Sequence, residues 1–139
     1  MSRSRIIALA ATVLFAGILL EFGASMAHAQ QSTPGAKRTV LERHDLSVPG
    51  REGVLVQTEL DPGAREPKHT HPGDFFAYVQ EGTITLFQEG QPTQHLNPGG
   101  VFFVPAGVVH AASNEGTTPV KLLVTFFVEK GKPLTTPVQ

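Results

Sequence analysis

Three histidines are the residues best suited to chemistry in this chain. His69 and His71 are separated by one residue, and His110 follows the turn-forming run Pro105-Ala106-Gly107. Side chains alternate along a β-strand, so a His-x-His pair presents both imidazoles to one face, roughly 6–7 Å apart at a rise of about 3.3 Å per residue. Two rings so placed can tilt onto one ion. Neutral imidazole suits zinc, iron, copper and nickel and accepts manganese. The third ligand of such a site must come from elsewhere. A tight turn before His110 would aim it back at the pair, although the sequence alone does not show that it does. His44 and His95 stand apart from this pattern and read as surface side chains. The chain has no cysteine, which excludes thiol catalysis and thiolate metal sites.

The elements that must hold these side chains read as strands. All eleven prolines and most of the glycines fall after residue 30 and recur as turn pairs, among them Pro49-Gly50, Pro62-Gly63, Pro72-Gly73 and Pro98-Gly99. Between them lie short segments rich in Val, Leu, Ile, Phe and Thr. Val54–Leu60, Phe75–Gln80, Thr83–Gln88, Val101–Val104 and Val120–Glu129 are expected strands. Lys37–Val48 is long enough for a helix, but Val40, Leu41, Leu46 and Val48 do not hold a 3.6-residue spacing. Regular short strands between turns point to an all-β sandwich or barrel. Phe76, Phe102, Phe103, Phe126 and Phe127 are expected in its core. The pairs Phe102-Phe103 and Phe126-Phe127 put a ring on each face of a strand, so both are buried only where both faces are covered. A second copy of the chain, in a homodimer, would supply such a cover.

Residues 1–29 read differently. Arg3 and Arg5 precede an apolar run from Ile6 to Leu20, and Ala27-His28-Ala29 follows with small residues at both positions of a cleavage site. That order predicts a secretory signal peptide cut after Ala29. The run is shorter than the roughly 18–20 residues that span a bilayer, so no membrane association is expected after cleavage. The mature protein would be periplasmic or secreted. Residues 30–38 are expected to form a flexible leader, 39–130 the barrel domain, and 131–139 an extended tail. The formal charge of −1 comes without a basic block, which argues against nucleic acid as a partner.

Two passages resemble the paired motifs of the cupin superfamily. Gly99, Pro105, Gly107, His110 and Asn114 match every fixed position of the second motif, G-x5-P-x-G-x2-H-x3-N. Gly63, His69, His71 and Gly82 match the first, G-x5-H-x-H-x3-4-E-x6-G, at all but one position. The resemblance implies a small single-domain cupin: a jelly-roll barrel of two antiparallel sheets, with a divalent metal ion held inside by His69, His71 and His110. Family analogy also suggests oxygenase or isomerase chemistry on a small molecule.

The exception is the metal-ligating glutamate of the first motif, where this chain has Phe75. Strand alternation points Phe75 inward with His69, His71 and Ala77, so a phenyl ring stands where a carboxylate oxygen would bind. Asp74 would replace it only if a bulge turned it to the other face. Glu66 would do so only if its turn folds inward. Two functions follow. The chain binds a metal through three neutral ligands, with positions open for water or substrate. Alternatively, it is a non-catalytic module whose degenerate metal site has become an organic-ligand pocket lined by Phe75, Ala77 and Glu66. A third, structural role would use the phenylalanine-rich sheet for association.

Overall fold

The computed structural model describes residues 33–139. The expected signal peptide and the first residues of the expected leader lie outside the described residues. Ten strands follow one another: β1 (Ala36–Asp45), β2 (Arg51–Leu60), β3 (Arg65–Thr70), β4 (Gly73–Glu81), β5 (Ile84–Gln88), β6 (Gln94–Leu96), β7 (Val101–Val104), β8 (His110–Ser113), β9 (Val120–Glu129) and β10 (Thr136–Pro137). There is no helix among the described residues. The segment Lys37–Val48, long enough for a helix, is mostly β1. This edge strand is exposed along most of its length and therefore lacks the alternation that marks a strand in sequence.

The strands form two five-stranded antiparallel sheets, ordered β1-β2-β9-β4-β7 and β10-β3-β8-β5-β6. Sequence alternation decides which face is inside. In β9, Val120, Leu122, Val124, Phe126 and Val128 point inward, and in β2, Val54, Val56 and Leu60 do the same. Together with Val79, Ile84, Leu86 and Val104 they fill the space between the sheets. The first sheet is thus the all-β wall expected from the sequence.

The outer face of that wall departs from expectation. Phe102 and Phe126 are core residues, but Phe76, Phe103 and Phe127 lie on the exposed face and are not. Period-two alternation explains the division: each belongs to the strand face opposite a buried neighbour. Phe76 and Phe103 pair across β4 and β7 with ring centroids 4.8 Å apart. Tyr78 and Val101 extend the same apolar surface.

Gly73, the first residue of β4, is required by close packing. A Cβ there would lie 2.1 Å from the Phe127 carbonyl oxygen and 2.7 Å from the Val128 Cα, both backbone atoms of β9. Gly73→Ala must push two paired strands apart. We expect it to destabilise the fold by about 3 kcal/mol, read as a lowered urea midpoint with an unchanged slope.

Candidate metal centre

The two histidine passages meet because their strands pair. In β3 and β8, His69 and His110 are direct cross-strand partners. His71 lies one residue past the end of β3, where the Gly107 amide donates to its carbonyl at 3.0 Å. Gly107 holds φ of +74°, which a side chain would strain, and so closes the turn that delivers His110. At the other end of the motifs, the Gly63 amide donates to the Asn114 carbonyl at 2.9 Å. The buried Asn114 amide donates to the carbonyls of Leu60 (3.0 Å) and Thr118 (2.8 Å) and accepts from the Gly116 amide (3.0 Å). Asn114 therefore braces the loop between β8 and β9.

The three imidazoles converge. Ring centroids lie 4.2 Å apart for His69 and His110, 4.9 Å for His69 and His71, and 4.9 Å for His71 and His110. One donor atom from each ring falls within 4.8 Å of the others, and all three residues are buried. Each Nδ1 faces a backbone carbonyl: Pro67 at 2.7 Å for His69, Leu134 at 2.5 Å for His71 and Val108 at 3.0 Å for His110. A carbonyl only accepts, so each Nδ1 carries the proton, and the lone pair is left on Nε2. This outer hydrogen bond is the usual means of orienting a histidine ligand.

Burial keeps two of the rings, His71 and His110, neutral. It lowers the pKa of His71 from 6.5 to about 3, against the upward pull of the Leu134 carbonyl and with smaller lowering contributions from His110, His69 and Arg38. Burial also lowers that of His110 to about 4, opposed by the Val108 carbonyl and aided by His69. At neutral pH these two rings are ready to donate lone pairs without losing a proton. The donor set therefore fits a borderline divalent ion.

Phe75 sits where alternation predicts, buried among these rings. Its centroid lies 5.0 Å from that of His71 and 5.3 Å from that of His110, with Phe126 at 5.2 Å. Phe75, Phe102 and Phe126 wall a cavity of about 40 Å³ that the three histidines also line. At roughly 10–15 Å³ of such space per water, it admits about three waters or a ligand of a few heavy atoms. Ala77 is buried in the core but does not line this cavity.

Neither candidate carboxylate joins the histidine cluster. Asp74 is exposed on the outer face of β4, where it accepts a hydrogen bond from the Ala106 amide at 2.9 Å. Glu66 does turn inward. The β3–β8 register shifts between Glu66 and His69, which brings two residues at odd spacing to the same cavity. There Glu66 is ion-paired with Arg38 of β1, the two side chains being 10% and 15% exposed. Sequence reasoning missed Arg38, Thr58 and Leu134. Thr58 alternates with the core residues of β2 and lines the cavity. Arg38 lies in the stretch of ambiguous pattern, and nothing in the sequence around Leu134 ties it to a histidine 63 residues away.

Comparison with known proteins agrees with this architecture. The cupin-domain family profile matches residues 56–132, more than half of the chain. Germin-like protein 1 of Brassica napus is 36% identical over 86 residues, covering 56% of this chain and 42% of that protein. A germin-like protein of Arabidopsis thaliana, subfamily 1 member 4, is 33% identical over 99 residues, covering 61% and 42%. The chain thus spans less than half the length of these relatives. Among solved structures, a Klebsiella pneumoniae protein with a double-stranded β-helix domain superposes with a TM-score of 0.61 at 23% identity, over 78% of this chain and 89% of that one. With the family profile spanning both histidine passages and the two-sheet barrel shared with this solved structure, the chain belongs to the cupin family.

Proposed function

We propose that this is an exported cupin that binds one divalent metal ion through His69, His71 and His110 and acts on or senses a small molecule. The carrying observation is that all three buried rings hold Nδ1 against a carbonyl, leaving three Nε2 lone pairs for one small cavity. A bound ion there would polarise an oxygen of water or ligand. The chain's own groups fix the three rings, exclude bulk water with Phe75, Phe102 and Phe126, and keep the Arg38 charge neutralised by Glu66. Zinc, iron, manganese, nickel and copper all suit the donor set. Turnover, if the site is catalytic, would be oxygenase-like or isomerase-like. The cavity volume favours a partner of a few heavy atoms over a sugar or nucleotide.

Export rests on the basic, apolar and small-residue order of residues 1–29. The exposed cluster of Phe76, Phe103, Phe127, Tyr78 and Val101 supports self-association through the outer face of the first sheet. The whole reading is tested in the producing cell and in solution. Fractionation and intact mass should find a chain beginning at Gln30 outside the cytoplasm. At least one of a panel of small anions of a few heavy atoms should raise the Tm of the metal-loaded protein but not of His69→Ala/His110→Ala. A cytoplasmic, uncut chain would reject export, and ligands acting equally on both proteins would reject a metal-dependent site.

The second reading, a binding module without metal, is favoured by Phe75, which packs its ring against His71 and His110. Phe75→Glu separates the two. If the histidines form a metal site, the new carboxylate should tighten divalent binding at least tenfold in chelator competition. It should also lower metal-free stability by about 3 kcal/mol, because it buries a charge among apolar rings. If the cavity is an organic pocket, the variant loses stability and gains no metal affinity.

A further inference from the structure

The three candidate ligands are not oriented in the same way. His69 and His110 each bond to the carbonyl two residues upstream, Pro67 in β3 and Val108 in the turn before β8, so the adjoining chain sets them. His71 bonds instead to Leu134, 63 residues downstream, in the tail that follows β9. The rest of that tail binds the same short stretch. In β10, Thr136 pairs with Thr70 and Pro137 with His69, and the Val138 amide donates to the Lys68 carbonyl at 3.0 Å. Leu134 packs its side chain against the core. Among the described residues, the backbone hydrogen bonds and strand pairs made from Leu134 to Val138 thus fall on residues 68–71, the stretch that carries two of the three histidines.

The tail also lines a pocket beside the histidine cavity. Thr135 and Pro137 of the tail line this second pocket together with Pro67 and Lys68 of β3. It shares Arg38, Glu66 and His69 with the histidine cavity. The holding element is slight: β10 is a two-residue edge strand, and most of residues 131–139 is exposed. Such an edge opens far more readily than the barrel it lies on.

From this arrangement we infer that the C-terminal tail is a strap that positions His71 through the Leu134 carbonyl, so that its release disables one ligand and opens the pocket beside the site. The inference rests on the metal-binding reading for its effect on affinity, but not for its effect on the ring. With the strap in place, His71 is fixed as the Nδ1–H tautomer with Nε2 free. With the strap gone, the ring loses its acceptor, turns, and favours the Nε2–H form of free imidazole.

The test compares the full mature chain, a chain ending at Lys130, and the milder Leu134→Gly/Val138→Pro variant, which is read in its place if the truncated chain does not fold. Nitrogen-15 histidine spectra of the metal-free proteins should show Nδ1–H for all three rings in the full chain. Only His71 should change on truncation. Zinc, measured by chelator competition, should bind 10–100-fold more weakly to the truncated chain, the range typical of losing a ligand-orienting bond. His71→Ala should then cost less affinity in the truncated background than in the full chain, while His110→Ala costs the same in both. An unchanged His71 tautomer, or equal changes in all three rings, would overturn the strap. If the full chain binds no zinc, the metal reading fails while the tautomer comparison still decides the strap.

Discussion

Metal-free protein should lose stability steeply between pH 6.5 and pH 4, and a variant lacking His71 and His110 should not. In the unfolded chain a histidine takes up its proton near pH 6.5. In the fold, burial holds His71 at about 3 and His110 at about 4. Within that window the unfolded state binds up to two more protons than the native state, so stability falls as pH falls. Stability is full above pH 6.5 and is lost progressively as the pH drops toward the folded values. The slope reaches about 3 kcal/mol per pH unit when both sites contribute fully. Even part of that is a large share of the roughly 5–15 kcal/mol that holds a domain together. The check is a urea midpoint measured from pH 7.5 to 4 in the presence of a chelator. His71→Gln/His110→Gln should flatten the profile. Saturating metal should protect the wild type near neutrality, because it binds only the folded site.

The second large effect belongs to the Arg38–Glu66 pair, which is nearly buried beside the histidines. Removing one partner strands a charge in an apolar place, at a cost of about 3–5 kcal/mol. Glu66→Gln and Arg38→Met should each do this. Replacing both, as Arg38→Met/Glu66→Leu, should recover much of the loss, since two apolar side chains need no mutual neutralisation. The two single variants should differ at the metal. Glu66→Gln leaves an uncompensated cation facing His71 and should weaken divalent binding, whereas Arg38→Met leaves an anion and should strengthen it. Chemical denaturation reads the stability and chelator competition the affinity. Weakening by both, to the same degree, would mean that the pair acts only through folding.

What the sequence made legible follows from what each residue must do. Turn glycines and alternating apolar residues have local signatures, so Val101–Val104 and Val120–Glu129 stand in the structure as expected and β2, β4 and β5 differ only at their ends. The histidine passages were legible for the same reason: a one-residue spacing and a Pro-x-Gly turn are constraints of the local backbone. β1 was not legible, because an exposed edge strand needs no apolar face. Phe76, Phe103 and Phe127 were misplaced because aromatic content says that a side chain can be buried, while only strand phase says which one is. Glu66 reached the cavity through a register shift that alternation cannot predict. Arg38 and Leu134 act on the site across 28 and 63 residues of sequence, respectively to Glu66 and to His71, and neither sits in a local pattern.

Whether His69, His71 and His110 hold a metal ion decides between the two functions open to the cavity. Elemental analysis of the tag-free chain from Gln30 onward measures this, alongside His69→Ala/His110→Ala purified in the same way. Close to one divalent ion per chain is expected in the wild type and none in the variant. No bound metal in either, even after incubation with iron, manganese, zinc, copper and nickel, would contradict metal binding there and leave the cavity to an organic ligand.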